Sequence, residues 1–275
     1  MGNVGTFSRE WLSRWLAPLR SGLAEARDAV VSIVFPAACR ICERLLTRAS
    51  RIPICDICLG SFAPLPEKIC VTCGRPLEAY PLREGEVLLC PACKTGQYEF
   101  DRARSYAIYE GALIRAIVLL KFEEMTPLGH WFGERLAELV RRGEEELAAD
   151  VVVPVPLHRQ RQRERGYNQA DLIARPLARR LGLPCRPVLL VRTKPRPDKL
   201  HLSLEERWSS VRGAFAAKPG SRVDNLRVLL VDDVMTTGAT LDACARALRQ
   251  AGARTVIGLT VARALGNPLP AADER

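Results

Sequence analysis

Four Cys-x-x-Cys pairs within the first hundred residues constrain the fold of this chain more than any other feature of its sequence. A two-residue spacing lets both thiolates of a tight turn reach one ion, and two such pairs give the tetrahedral sulfur ligation that structural zinc prefers. Four pairs therefore predict two structural zinc ions. The eight predicted ligands are Cys39, Cys42, Cys55, Cys58, Cys70, Cys73, Cys90 and Cys93.

The spacing of these pairs leaves their partnership and their metal open. We favour joining the first pair to the second and the third to the fourth, because this scheme closes the shorter loops, but an interleaved scheme fits the same spacing. Four thiolates also suit an iron–sulfur cluster, which is the main alternative to zinc. The surrounding segment is rich in Pro and Gly, so metal binding has to supply much of its folding free energy. We therefore predict a double zinc ribbon over residues 36–98.

The segment before the first cysteine pair predicts an amphipathic helix over residues 1–35. Its large apolar side chains, among them Trp11, Trp15 and Leu19, recur at intervals near 3.6 residues. No apolar run approaches the ~20 residues needed to cross a bilayer, and acidic residues interrupt any apolar core of a signal peptide. We expect a cytoplasmic protein with no membrane span, since a reducing compartment keeps cysteines available as metal ligands.

The net charge of +10 is concentrated in one stretch of the chain. Residues 151–223 hold 16 basic and 5 acidic residues, a net charge of +11, so the rest of the chain is close to neutral. Like charges that lie close together cost free energy unless something offsets them, so this stretch predicts an anionic partner. A solvated basic face is the simpler alternative.

From residue 101 onwards the sequence predicts an α/β domain, because short apolar runs alternate with helical patterns. Strands that alternate with helices of 10–15 residues indicate a parallel sheet with crossover helices. We therefore predict this domain over residues 101–265 and a tail over residues 266–275. The predicted strands are 103–109, 151–155, 188–191, 226–231 and 255–261, and the predicted helices are 112–122, 128–142, 169–181 and 240–250.

One loop of this domain lies at the carboxyl end of a strand, where parallel sheets bind their ligands. The run 228–240 reads VLLVDDVMTTGAT, which is a buried strand, two carboxylates and a turn of small residues that opens a helix. Such a turn lets backbone N–H groups surround a phosphate at the positive end of the helix dipole. Two adjacent carboxylates can accept hydrogen bonds from ribose hydroxyls and help to hold Mg²⁺. An acidic strand end that merely caps a helix is the structural alternative. The predicted binding residues are Asp232, Asp233, Thr236, Thr237, Gly238, Ala239 and Thr240.

A second candidate site is the arginine-rich run that follows the strand predicted at 151–155. It contains Arg159, Arg161, Arg163 and Arg165 at alternate positions. The planar guanidinium of Arg makes bidentate bonds to phosphate oxygens, so the run is suited to an anionic ligand. A single-stranded DNA backbone fits the same spacing, with Tyr167 or Trp208 as a surface on which bases stack. The spacing alone does not separate these two ligands.

Several motifs resemble known families. The run 228–240 resembles the phosphoribosyl pyrophosphate (PRPP) motif of type I phosphoribosyltransferases. VPVPLHR at 153–159, RGYNQA at 165–170 and LKF at 120–122 resemble motifs of the ComF family, as does the segment 207–215 that ends in VRGAF. With the cysteine pairs, the resemblance covers about residues 36–263. The sequence departs from the family pattern at Arg196, Lys199 and Ser210, where the family usually has Thr, Gln and Asn.

The resemblance implies a type I phosphoribosyltransferase-like parallel sheet with helices on both faces, preceded by a small zinc-ribbon module. It also implies that Lys121 and the four arginines at 159, 161, 163 and 165 hold the diphosphate of PRPP, with Mg²⁺. One implied function is phosphoribosyl transfer, a glycosyltransferase reaction in which positioning dominates, so that no catalytic base is assigned. The alternative is a non-enzymatic accessory of natural competence that binds single-stranded DNA, contacts a competence helicase and assists DNA uptake.

Overall fold

The computed structural model describes residues 37–48, 50–77, 87–96, 98–143, 145–195, 204–221 and 223–265. The helix predicted over residues 1–35 and the tail predicted over 266–275 lie outside these ranges. The chain forms two compact units, residues 1–61 and 62–275. The third and fourth cysteine pairs therefore belong to the same unit as the α/β domain, and the first and second pairs belong to the other unit.

The first unit contains a knuckle, a short hairpin turn built around a Cys-x-x-Cys pair. Ala38 and Leu45 form an antiparallel bridge, and the turn between them passes through Glu43 in the left-handed region at φ +63°. Helix α1 (Asp56–Gly60) carries the second pair, with Cys55 as its N-cap residue and Cys58 buried within it. The knuckle and the helix together present the four thiols of the first two pairs.

The second unit begins with the same arrangement. Ile69 and Pro76 form the corresponding bridge, and helix α2 (Pro91–Lys94) carries the fourth pair. The turn residue is here Gly74, at φ +65°, where a Cβ would lie 2.8 Å from the carbonyl oxygen of Ala103. Only a glycine allows the knuckle to approach the neighbouring strand this closely while keeping a positive φ.

The central sheet of the second unit is parallel, as the sequence predicts. Its four strands lie in the order β1-β6-β5-β2, and every neighbouring pair is parallel. A separate antiparallel pair is formed by β3 and β4. In chain order the strands are β1 (Arg102–Ile108), β2 (Val151–Pro154), β3 (Leu190–Arg192), β4 (Phe215–Ala217), β5 (Arg227–Met235) and β6 (Thr255–Arg263).

The longer helices flank this sheet and bury apolar faces. Strand β2 is buried along its whole length, as is typical of parallel strands covered by helices. Among the described residues, no helix is both long enough and apolar enough to cross a lipid bilayer. The helices of the α/β domain are α3 (Gly111–Phe122), α4 (Pro127–Arg142), α5 (Arg159–Arg165), α6 (Gln169–Leu181), α7 (Leu204–Ser209) and α8 (Ala239–Gln250).

Strand β4 and helix α7 are not predicted from the sequence, and two other local features differ from the prediction. The strand predicted at 188–191 is shifted to Leu190–Arg192, because Val188 is 65% exposed, and it lies outside the parallel sheet because it pairs with β4. The arginine-rich run folds as helix α5, which the sequence analysis did not predict. Arg, Gln and Glu all favour helices, and the Gln160 side chain donates to that of Glu164 one turn away, at 3.0 Å.

Candidate functional site

Strands β2 and β5 bring the two predicted sites to one edge of the sheet. They are parallel neighbours, so their carboxyl ends lie side by side. The N–H of Val155, just after β2, donates to the carbonyl of Val231 in β5, at 2.8 Å. Asn168 fixes the chain beyond α5, since its side chain donates to Val155 and accepts from the N–H of Ala170 at the start of α6. The arginine helix and the acidic strand end are thereby held around one space.

That space is a cleft of about 590 Å³. The residues 236–240, here called the glycine turn, form part of its wall, and α5 forms another part. Three predicted residues, Thr237, Arg159 and Arg163, are not among the described residues that line it. The predicted residues that do line the cleft are Asp232, Asp233, Thr236, Gly238, Ala239, Thr240, Lys121, Arg161 and Arg165.

The acid pair differs in exposure and in partners. Asp233 is only 4% exposed, and its Oδ1 lies 2.8 Å from Nζ of Lys121. The other oxygen, Oδ2, is buried without a hydrogen-bond partner in the described part of the chain. Asp232 is partly exposed, and its Oδ1 accepts from the N–H of Asp233 at 2.9 Å. A buried carboxylate oxygen without a partner is rare, so Asp233 marks a position where a ligand hydroxyl or a cation would be stabilised.

The aromatic side chain of Tyr98 contacts the glycine turn and helps to fix its conformation. Gly238 has φ +86° and is the N-cap residue of the twelve-residue helix α8. A Cβ at this position would lie 2.8 Å from Cε of Met235 and 2.9 Å from Cε1 of Tyr98. The Tyr98 hydroxyl donates to the carbonyl of Thr237 at 2.9 Å, and the Thr237 hydroxyl accepts from the N–H of Ala239 at 3.3 Å. The latter bond is long for N–H···O, so a stronger acceptor such as a phosphate can replace it.

The arginines of α5 fall into two groups. Arg161 and Arg165 line the cleft, whereas Arg159 and Arg163 are exposed and lie outside its lining. Arg165 donates to Oε1 of Gln169 at 2.5 Å, and its guanidinium lies 5.0 Å from the ring centroid of Phe122. Burial lowers the pKa of Arg165 from its ordinary value. This group is therefore the one held in a defined position by its neighbours.

Arg192 lines the cleft as well, although the sequence analysis did not single it out. Its guanidinium lies 5.0 Å from the ring centroid of Phe215, and burial lowers its pKa. Its Nη2 is buried without a hydrogen-bond partner in the described residues, which leaves a donor for an anionic ligand. Its place in the basic stretch 151–223, directly after an apolar run, is a signal that could have found it.

The two aromatic residues considered as stacking surfaces for DNA take part in internal packing. The hydroxyl of Tyr167 donates to the carbonyl of Leu120 at 2.5 Å. Trp208 packs against Tyr98, with ring centroids 5.8 Å apart. The ring of Phe122 lines the cleft and is 67% exposed, although the sequence did not indicate it as a stacking surface.

The eight predicted cysteine ligands form two clusters, and the sequential pairing is confirmed. Within each cluster the four Sγ atoms lie within 4.8 Å of one another. A tetrahedron with Zn–S bonds of about 2.3 Å has edges of about 3.8 Å. The Sγ–Sγ distances of 3.7 Å for Cys42–Cys55 and 3.6 Å for Cys73–Cys90 fit that geometry. The first cluster is Cys39, Cys42, Cys55 and Cys58, and the second cluster is Cys70, Cys73, Cys90 and Cys93.

The cysteine geometry predicts the metal content of the protein. We expect elemental analysis of the purified chain to find two zinc ions per molecule, because each ion takes four ligands. A Cys42→Ser variant should retain one zinc ion, since it removes a ligand from the first cluster only. Iron in place of zinc would contradict the prediction, and so would a single ion in the unmodified chain.

Comparison with known families matches two models to this chain. The phosphoribosyl transferase domain matches residues 170–271, which include the acid pair and the glycine turn. The double zinc ribbon domain matches residues 30–95, which include all eight clustered cysteines. The second match supports zinc over an iron–sulfur cluster as the metal of both cysteine clusters.

Relatives with similar sequences extend over most of the chain. Competence protein F of Haemophilus influenzae is 30% identical over 77% of this chain and 90% of its own length. The DNA utilization protein YhgH of Salmonella typhimurium is 30% identical over 82% of this chain and 96% of its own length. The competence protein ComFC of Bacillus subtilis is 27% identical over 72% of this chain and 85% of its own length.

Proposed function

Because this chain belongs to the ComF family, we propose that the cleft of its phosphoribosyltransferase-like domain binds PRPP, or a related nucleotide phosphate, together with Mg²⁺. The strongest support is the placement of the acid pair and the glycine turn in the same cleft as cationic side chains. PRPP requires both kinds of group, because its ribose hydroxyls need acceptors and its phosphate and diphosphate need donors.

Each part of the cleft has a role in this proposal. Asp232 and Asp233 accept hydrogen bonds from the two ribose hydroxyls. The glycine turn surrounds the 5′-phosphate with backbone N–H groups at the start of α8. Lys121, Arg161 and Arg192 hold the diphosphate, and the N–H of Ala239 exchanges the Thr237 hydroxyl for a phosphate oxygen.

The acid pair also fits Mg²⁺. This cation is usually held by one or two carboxylates together with substrate phosphates and water. The unpartnered Oδ2 of Asp233 and the partly exposed carboxylate of Asp232 supply such oxygens. When bound with PRPP, Mg²⁺ would offset negative charge on the diphosphate.

Phosphoribosyl transfer is the reaction that such a cleft can support. The bond between ribose C1 and a diphosphate oxygen breaks, the diphosphate leaves with the electron pair, and a nucleophile of the acceptor bonds to C1. The cationic side chains stabilise the leaving group, so the main contributions are orientation and charge stabilisation. Binding without transfer, as a sensor of PRPP, would use the same residues.

Calorimetry tests the proposal directly. We expect titration of the full-length chain with PRPP and Mg²⁺ to give saturable heat at one site per molecule. Titration with ribose 5-phosphate should give weaker binding, since that ligand lacks the diphosphate held by Lys121 and Arg161. If PRPP and Mg²⁺ give no heat at any concentration up to the millimolar range, the proposal fails.

A second candidate function is binding of single-stranded DNA, which one structural observation favours. Arg159 and Arg163 are exposed on α5 outside the cleft lining, next to arginines that line it. They can therefore contact a phosphate backbone while the cleft is occupied. The names of two of these relatives refer to competence and DNA utilization. We propose that the protein acts in the cytoplasm, because its thiol ligands require a reducing compartment.

The salt dependence of DNA binding tests this second function. We expect the affinity for single-stranded DNA to fall steeply with salt, because each neutralised phosphate contributes about 0.7 to the slope of log K against log salt concentration. Replacing Arg159 and Arg163 by Gln should make that slope shallower by about 1.4 and leave PRPP binding unchanged. An affinity that stays constant between low and moderate salt would argue against DNA as the anionic partner.

A further inference from the structure

Arg263, at the end of β6, is a buried cation that the proposed function does not use. It is 1% exposed and is among the largest fully buried side chains of the described residues. Its Nη2 lies 3.9 Å from Sγ of Cys73 in the second cluster. Its Nε and Nη1 are buried and have no hydrogen-bond partner in the described part of the chain.

A cation buried in this way destabilises a protein unless an opposite charge lies beside it. A zinc ion bound by four thiolates has a net negative charge, because the thiolates together outweigh the charge of the ion. The guanidinium of Arg263 is therefore placed to neutralise the occupied second cluster.

The second cluster is also fixed to the sheet through its knuckle. The carbonyl of Thr72, between two of its cysteines, accepts from the N–H of Ala103 in β1 at 2.6 Å. The carbonyl of Val71 accepts from the Arg104 side chain at 2.9 Å. Strand β1 pairs with β6. In β6, Arg263 is the register partner of Met235 in β5, which is the last residue before the glycine turn.

Tyr98 provides the last link between the second cluster and the turn. It lies five residues after Cys93 and stacks on Phe100, with ring centroids 4.5 Å apart. Its hydroxyl holds the carbonyl of Thr237, and in a trans peptide the following N–H, that of Gly238, points in the opposite direction. That N–H is therefore directed away from Tyr98. Gly238 lines the cleft and Tyr98 is not among the described residues that do.

We infer that the second zinc cluster holds the glycine turn in its binding conformation, with Arg263 and Tyr98 as positioning residues. This inference rests on the proposed function for its effect on PRPP affinity. Its structural part is that the conformation of the turn depends on zinc. That part holds whichever ligand the cleft binds. Loss of zinc from the second cluster would thus weaken ligand binding in the cleft without altering a residue that lines it.

Two cysteine variants separate the clusters. Cys93→Ser and Cys42→Ser each replace the most exposed cysteine of one cluster, and each should leave one zinc ion per chain. We expect hydrogen exchange of the peptide 235–241 to become at least about tenfold faster in Cys93→Ser and to stay unchanged in Cys42→Ser. PRPP affinity should fall by the same order in Cys93→Ser alone. Equal effects of the two variants would overturn the inference.

Two further positions test the links and do not depend on removing a metal ligand. Tyr98→Phe should keep two zinc ions, accelerate exchange in the peptide 235–241 and weaken PRPP binding about fivefold, the effect of one lost hydrogen bond. Arg263→Met should release zinc from the second cluster to a chromogenic chelator at least about tenfold faster than the unmodified chain. Arg263→Lys keeps the charge and should restore release to within about threefold.

The outcomes distinguish this inference from the proposed function. If the unmodified chain does not bind PRPP, the proposed function fails, and the exchange and zinc-release measurements still decide the inference. If PRPP binds but Cys93→Ser and Tyr98→Phe leave both exchange and affinity unchanged, the inference fails and the proposed function stands. Unchanged zinc release in Arg263→Met would remove the assigned role of that arginine.

Discussion

Replacing Asp232 and Asp233 together by Asn is expected to abolish calorimetrically detectable PRPP binding. Hydrogen bonds to charged groups contribute about 1.5–3 kcal/mol each, so losing two of them weakens binding by about 3–6 kcal/mol. Since every 1.4 kcal/mol is a factor of ten, affinity should fall by at least about 100-fold. The variant also loses the oxygens that would hold Mg²⁺. The measurement is titration with PRPP and Mg²⁺ under the conditions used for the unmodified chain.

Asp171→Asn is the matched control for this experiment. Asp171 is an acid on α6 that pairs with Arg175 at 2.9 Å and lies outside the described lining of the cleft. Its replacement removes one negative charge, half of the change in the double variant, so a general charge effect would appear in both variants. Thermal unfolding should show that the double variant is folded, because Asn still accepts a hydrogen bond from Lys121. An affinity of the double variant within threefold of the unmodified chain would refute the assignment of the acid pair.

The second large effect is expected at the glycine turn. Gly238→Ala places a side chain at φ +86°, which costs about 1–2 kcal/mol, and pushes its Cβ against Tyr98 and Met235 at less than 3 Å. The tyrosine ring cannot move freely because it stacks on Phe100. We therefore expect a stability loss of more than about 2 kcal/mol in denaturant unfolding, and a PRPP affinity at least tenfold weaker.

Gly182→Ala separates backbone strain from displacement of the turn. Gly182 ends α6 at φ +71°, and a Cβ there would have nothing within 4 Å. Its variant should lose only the conformational term, about 1 kcal/mol, and should keep the PRPP affinity of the unmodified chain. If both alanine variants lose the same stability and neither loses affinity, the close contact between the turn and Tyr98 has no role in binding.

The features that the sequence predicts well are those with a strong local pattern. The spacing of the cysteines predicts eight metal ligands and favours the sequential pairing that the structure shows, because that scheme closes the shorter loops, although an interleaved scheme fits the same spacing. Periodicity predicts the parallel sheet and most of its helices to within a few residues. The acid pair and the glycine turn are predicted to share a strand end, and they do, since β5 extends through Asp232 to Met235.

The features that the sequence does not predict depend on contacts between distant residues. Tyr98 and Thr237 are 139 positions apart, and Arg263 is 190 positions from Cys73, so no local pattern reports either contact. The place of β3 outside the parallel sheet depends in the same way on its partner β4. The run of arginines predicts an anionic ligand. The sequence does not show that Arg161 lines the cleft and Arg163 does not, because that difference depends on the orientation of α5.

A structure of the chain with PRPP and Mg²⁺ would show whether the acid pair and the glycine turn bind this ligand. We expect electron density for the 5′-phosphate against the backbone N–H groups of the glycine turn. The ribose hydroxyls should lie within hydrogen-bond distance of Asp232 and Asp233, and the diphosphate should contact Lys121 and Arg161. Density for the ligand on any other surface, or a cleft without ligand at saturating PRPP, would contradict it.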